Sequence, residues 1–69
     1  MANPYNLRTV IYRAARQSNG TLELHTNDGV FRTAKNSQAS TQLRATEFPG
    51  GVPATLHIWT RGTVAKLTF

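Results

Sequence analysis

The chain has 69 residues, and its eight lysines and arginines against three acids give a net charge of +5. A chain of this length forms a single domain over residues 1–69, and its small core buries roughly 60% of the surface of the unfolded chain. It contains no cysteine, and its two histidines and three acids lack the spacing of metal ligands. We therefore expect no disulfide, no metal site and no cofactor.

Arginine supplies six of the eight cations. Its planar guanidinium forms paired hydrogen bonds with phosphate or carboxylate and stacks on bases, so the composition favours an anionic partner. A positive charge also simply aids solubility. The apolar runs are far shorter than the roughly 20 residues of a membrane span, and no stretch resembles a signal peptide. The sequence therefore predicts a soluble cytoplasmic protein with no membrane partner.

The first predicted element is a strand over residues 7–15 (LRTVIYRAA), which is rich in β-branched and aromatic residues. Its apolar positions do not alternate cleanly, because Val10, Ile11 and Tyr12 are consecutive. This pattern indicates a strand that is partly covered on both faces or that contains a bulge. A short amphipathic helix is the less favoured alternative.

A β-hairpin is predicted over residues 21–35, with its turn within residues 27–29 (NDG). A two-residue loop of 28–29 places Phe31 in the core, whereas a three-residue loop points Arg32 inward instead. We prefer the first register, because burying a phenylalanine is favourable and burying an arginine is not. It predicts a core face of Leu22, Leu24, Phe31 and Thr33 and an outer face that includes His25 and Arg32.

The connector at residues 36–46 is polar and fits either of two structures. One is a short helix capped at Ser37 or Ser40. The other is an edge strand over residues 41–48. The following FPGGVP segment, residues 48–53, is predicted to break regular structure and to form a flexible loop.

A second hairpin over residues 54–69 carries the strongest pattern, because Arg61-Gly62 separates two alternating runs and sets a tight turn. That register pairs Leu56 with Leu67 and His57 with Lys66. The predicted core face consists of Ala54, Leu56, Ile58, Ala65, Leu67 and Phe69. The predicted outer face carries His57, Trp59, Val64, Lys66 and two threonines, with Arg61 at the tip.

Five short strands with one possible helix between two hairpins predict an all-β domain. We expect a small five-stranded barrel, of OB type or SH3-like, because closure avoids long exposed sheet edges. The strand pattern fits both types.

Neither histidine belongs to a recognisable catalytic pattern, so we expect no enzyme and no catalytic residue. Trp59 allows three interpretations: it stacks on a nucleobase, anchors a protein interface or closes one end of the core. For this residue alone we favour the third, but the positive charge and the arginine content of the whole chain lead us to predict that single-stranded DNA or RNA binds without strong sequence preference. An acidic protein partner or a second copy of the chain is the alternative. The predicted contact residues are Trp59, Lys66, His57, Arg61, Arg32 and Arg13.

Overall fold

The structure is a computed structural model, and it describes residues 4–59 and 62–69. Its elements in chain order are β1 (Tyr5–Arg16), β2 (Leu22–Thr26), β3 (Gly29–Thr33), α1 (Gln38–Gln42), β4 (Thr46–Ile58) and β5 (Thr63–Thr68). The strands form one sheet in the order β1-β2-β3-β5-β4, and β4 pairs with β1 so that the sheet closes into a ring. The predicted all-β domain of five strands and one short helix is confirmed at this level.

The inside of the ring holds the apolar core. Inward side chains come from alternate positions of the strands, as the period of two requires. Most residues of this core are fully buried and aliphatic. Such side chains pack closely in protein interiors. The buried members of the core are Ile11, Ala14, Leu22, Leu24, Ala39, Ala54, Leu56, Ile58, Val64 and Leu67.

Strand β1 contains the bulge that the sequence suggested as one of its alternatives. On both sides of β1, the pairing register shifts between Ile11 and Arg13. Against β2, Tyr12 is the extra residue, whereas against β4 the extra residues are 48–51 of β4. The side chain of Tyr12 is exposed. The strand pairs with β4 along most of its length and with β2 from Ile11 onward. Because it is long and contains a bulge, β1 can pair with β2 on one edge and with β4 on the other, which closes the ring.

The prediction of a flexible loop at residues 48–53 is wrong, because these residues lie inside β4 (Thr46–Ile58). The strand leaves the β1 ladder over residues 48–51 and then rejoins it. Gly50 and Gly51 have φ angles of 78° and 83° there. Two left-handed glycines bend the strand sharply without removing it from the sheet.

The β2–β3 hairpin has a two-residue loop at residues 27–28, one position earlier than predicted. Thr26 fixes this loop, since its Oγ1 donates to the Gly29 carbonyl at 2.8 Å and accepts from the Asp28 amide at 3.1 Å. Moving a loop by one residue moves each cross-strand partner by two. The predicted core face is therefore correct although the predicted pairs are not, and Phe31 packs against the core.

The β4–β5 hairpin follows the predicted register only away from its turn. Two predicted pairs are confirmed: Leu56 with Leu67, and His57 with Lys66. Beyond them a register shift pairs Ile58 with Val64, so that Ala65 is the bulged residue. Val64 is consequently buried rather than on the outer face, and Ala65 is only half-buried. Of the predicted turn, Gly62 has a φ of 71°, while Arg61 lies outside the described residues.

Phe69 was predicted to be in the core, and this is wrong, because it is 62% exposed. It follows the last residue of β5. The β3–β5 pairing is parallel and involves only the beginning of β5, at Thr63 and Val64. The end of β5 therefore projects beyond β3, and the terminal ring lies on the surface.

The connector forms helix α1, and Ser37 is its N-cap, with its side chain accepting a hydrogen bond from the Ser40 amide. Ala39 anchors the helix in the core. The Arg16 guanidinium holds the helix from outside, donating to the carbonyl groups of Gly20 at 2.8 Å and Ser40 at 2.9 Å. None of the helical structure in the described residues has the length and apolar character needed to cross a membrane.

Candidate binding face

Two rows of outward side chains cross the neighbouring strands β1, β4 and β5. Cross-strand pairing aligns them, and they are separated by an inward row that consists of the half-buried Leu7 and the buried Leu56 and Leu67. We call these six outward residues the cationic face. The first row is Asn6, His57 and Lys66, and the second is Arg8, Thr55 and Thr68.

Both formal charges on this face are positive. Arg8 and Lys66 are exposed, and none of the three acids of the chain lies in either row. Arg8 lies on β1 and Lys66 on β5, so two strand spacings of about 4.8 Å each separate their strands. One extended polyanion can therefore contact both cations. His57 joins the two rows, because its Nε2 lies 2.7 Å from Thr68 Oγ1.

Trp59 lies at the end of β4, two residues beyond His57. Its amide donates to the Thr63 carbonyl at 2.8 Å, which continues the β4–β5 ladder and keeps the outward alternation. The side chain is 61% exposed. The interpretation that Trp59 closes one end of the core is therefore wrong, and its indole is available on the surface about 7 Å along the strand from His57.

Arg32 belongs to the same side of the ring as Trp59. It lies opposite Thr63 across the parallel β3–β5 pair, so two strand spacings separate it from β4. Its guanidinium is 3.6 Å from Glu23 Oε2, and the other oxygen of that carboxylate contacts His25 Nε2 at 3.0 Å. Glu23 thus offsets part of the positive charge of this cluster.

Arg13 is not brought to the cationic face. It lies past the bulge in β1, where its partners in the ladder are His25 and Glu47. Of the predicted contact residues, the structure brings together His57, Lys66 and Trp59, places Arg32 at their border and separates Arg13. Arg61 falls in the gap between the two described ranges.

The sequence analysis missed Arg8 as a member of the face. The alternation of Leu7, Thr9 and Ile11 indicates that Arg8 points outward, but the consecutive apolar residues that follow obscure that pattern. Only the pairing of β1 with β4 shows that Arg8 lies opposite Thr55. Strands distant in sequence pair here, so the short-range pattern could not reveal this neighbour.

In the part of the chain that the structure describes, no three His, Asp or Glu side chains gather as metal ligands would. Comparison with protein-family models, with curated proteins and with solved structures found no match to this chain. The function is therefore inferred from the geometry of the face.

Proposed function

We propose that this chain is a small basic module that binds single-stranded nucleic acid, without strong sequence preference, on the cationic face and Trp59. One observation carries the proposal: an exposed indole continues a sheet face that holds two cations, a histidine and no acid. Proteins that bind single strands combine aromatic stacking platforms with a positive surface that follows the backbone. Both components occur here within three adjacent strands, β1, β4 and β5.

Each side chain has a role in this proposal. Trp59 stacks on a base, while Arg8 and Lys66 contact phosphates. Thr55 and Thr68 add neutral hydrogen-bond donors to phosphate oxygens. The hydrogen bond between Thr68 and His57 fixes the orientation of the imidazole on the face to which the nucleic acid binds. Arg32 extends the path on the far side of β5, and Arg61, predicted at the turn, adds a further phosphate contact.

We infer from its topology that the ring is an OB-type barrel, and this fold supports the proposal. The helix lies between β3 and β4, and β3 pairs with β5 in parallel to complete the ring. OB barrels bind oligonucleotides with the face of strands 2 and 3 and with the loops between strands 1 and 2 and between strands 4 and 5. The cationic face lies on β1, β4 and β5 instead, so the OB analogy supports the proposal only at the loops. Trp59 lies where the second of these loops begins. A cysteine-free composition fits a reducing compartment, so we place the module in the cytoplasm as part of the same proposal.

A direct titration tests the proposal. Fluorescently labelled 12-mers of mixed-sequence DNA and RNA are titrated with the protein at several salt concentrations. We expect micromolar or tighter binding, quenching of the Trp59 fluorescence and a logarithmic affinity that falls linearly with the logarithm of salt concentration. Unchanged amide chemical shifts in the presence of either oligonucleotide at low salt would refute the proposal.

A second candidate is docking on an acidic protein or on another copy of the chain. It is favoured by the exposed large apolar side chains Tyr5, Val30, Trp59 and Phe69, since tryptophan with nearby arginine is common at interface hot spots. Sedimentation velocity separates the self-associating form from the first proposal, because a strict monomer at high concentration excludes it.

A further inference from the structure

A groove opens beside the cationic face, between the end of β5 and the β2–β3 loop. It is open to solvent and has a volume of about 500 Å³, which is within the usual size range of small-ligand sites. Arg8 and Phe69 line it on the side of the cationic face, and Asn27 and Asp28 line it on the side of the loop. The groove is continuous with the cationic face, because Thr55 and Thr68 also belong to its walls.

Thr9 forms part of the wall of this groove. It is 8% exposed, and its Oγ1 is buried with no hydrogen-bond partner among the described residues. Buried hydroxyl groups are almost always hydrogen-bonded, because an unsatisfied one is destabilising. Because this oxygen has almost no exposed surface, a ligand in the groove does not reach it, and Thr9 contributes only to the wall.

We propose that the groove binds one unpaired nucleobase of the bound strand, and that it selects a base with an exocyclic amine. This inference rests on the proposed function. The ring of Phe69 offers a surface on which a base stacks, and Arg8 lies where the phosphate of the same nucleotide would meet the cationic face.

Selection follows from the chemistry of Asp28. An ionised carboxylate only accepts hydrogen bonds. Cytosine presents the N4 amine, whereas thymine and uracil present the O4 carbonyl at the corresponding position, and two acceptors repel one another. An amine-bearing base therefore fits the loop side of the groove better than thymine or uracil does.

The test compares oligo(dC) with oligo(dT) of eight residues, by fluorescence anisotropy at one salt concentration. We expect oligo(dC) to bind about tenfold more tightly, which is the strength of one hydrogen bond to a charged group. The D28N variant should bind both oligonucleotides equally, since an asparagine amide also donates. The E47Q variant removes an acid at the other end of the β1–β4 ladder, and it should keep the preference.

Two further variants separate the parts of the site. F69L, at the chain end, should weaken binding of both oligonucleotides and reduce their difference. T9V should leave the preference unchanged, because the Thr9 hydroxyl is buried out of reach of the base and Asp28 alone provides the selection. Equal binding of oligo(dC) and oligo(dT) with normal salt dependence would overturn the groove assignment and leave the proposed function intact. A preference that survives D28N would also overturn it, and binding of neither oligonucleotide would overturn both.

Discussion

The side-chain amide of Gln42 pairs with both backbone groups of Leu67: Oε1 accepts from the Leu67 amide at 2.7 Å, and Nε2 donates to the Leu67 carbonyl at 2.9 Å. This pair occupies the side of β5 that faces away from β4. Strand β3 pairs only with the first two residues of β5, and α1 lies against the remainder. One glutamine therefore continues the hydrogen bonding of the sheet where the neighbouring strand has ended.

Replacing Gln42 with alanine should lower the free energy of unfolding by about 1–3 kcal/mol, because two part-buried backbone groups of Leu67 lose their partner. The measurement is urea denaturation followed by circular dichroism. Gln38→Ala is the matched control, since Gln38 begins the same helix with an exposed side chain, and it should change the stability by less than about 0.5 kcal/mol. Equal losses in the two variants would show that the amide bridge is unimportant.

Two buried threonines should respond in opposite ways to replacement with valine. Thr33 Oγ1 accepts a hydrogen bond from the Leu22 amide at 2.9 Å inside the core, whereas Thr9 Oγ1 has no partner among the residues that the structure describes. Thr33→Val should therefore cost about 1–3 kcal/mol, because the Leu22 amide stays buried and unsatisfied. Thr9→Val should be neutral or stabilising. Thermal unfolding of both variants gives the comparison, and a large loss in Thr9→Val would contradict it.

Gly50 and Gly51 provide a second matched pair, within the bend of β4. Both have left-handed φ angles, so alanine at either position should cost on the order of 1 kcal/mol through backbone strain. A Cβ on Gly50 would meet open space, but one on Gly51 would clash with Val10 Cγ1 and lie 2.9 Å from Tyr12 Cε1. Gly51→Ala should therefore be less stable than Gly50→Ala by roughly 1–3 kcal/mol, the typical cost of overpacking. Denaturant midpoints of the two variants measure the difference.

The same bend shows why the sequence misled at residues 48–53. Consecutive proline and glycine residues usually indicate a turn, and here they bend a strand that keeps its place in the sheet. The core face of the first hairpin could be predicted from alternation, and so could Ala54, Leu56, Ile58 and Leu67 of the second. Residue type indicated Ser37 as one of two candidate caps. The bulge at Ala65 could not be predicted, because the pattern TVAKLTF alternates acceptably in either register. A bulge moves a neighbouring side chain to the other face, as happened to Val64.

The sequence predicted which residues of the candidate site are neighbours only where both belong to the same hairpin. His57 and Lys66 are cross-strand neighbours in a short-range pairing, and the register from the turn placed them correctly. Arg8 and Arg32 join or border the face through β1–β4 and β3–β5 pairs between strands distant in sequence. No local pattern specifies which distant strand becomes a neighbour, so these positions required the structure.

Trp59→Ala should weaken binding of a single strand by roughly 5- to 150-fold, the range expected for loss of one stacked base. The variant should remain as stable as the original protein, because the exposed indole contributes little to the core. Val30→Ala is the control, since Val30 is also exposed and apolar but lies on the β2–β3 side of the ring. Fluorescence anisotropy measures the affinity of each variant for the single strand. Equal losses of affinity in the two variants would argue against a stacking role for the indole.

The cations of the face should be visible in the salt dependence of binding. Each phosphate neutralised on a single strand contributes about −0.7 to the slope of logarithmic affinity against logarithmic salt concentration. Lys66→Gln and Arg8→Gln should each make the slope shallower by about that amount, and the double variant by about 1.4. Lys35→Gln removes an equal charge from an exposed position that follows β3, and it should leave the slope nearly unchanged. If all three single variants changed the slope equally, the attraction would come from the net charge of the whole protein. A localised response would instead assign the phosphate contacts to the β1–β4–β5 face, because only charges that displace condensed counterions alter the slope.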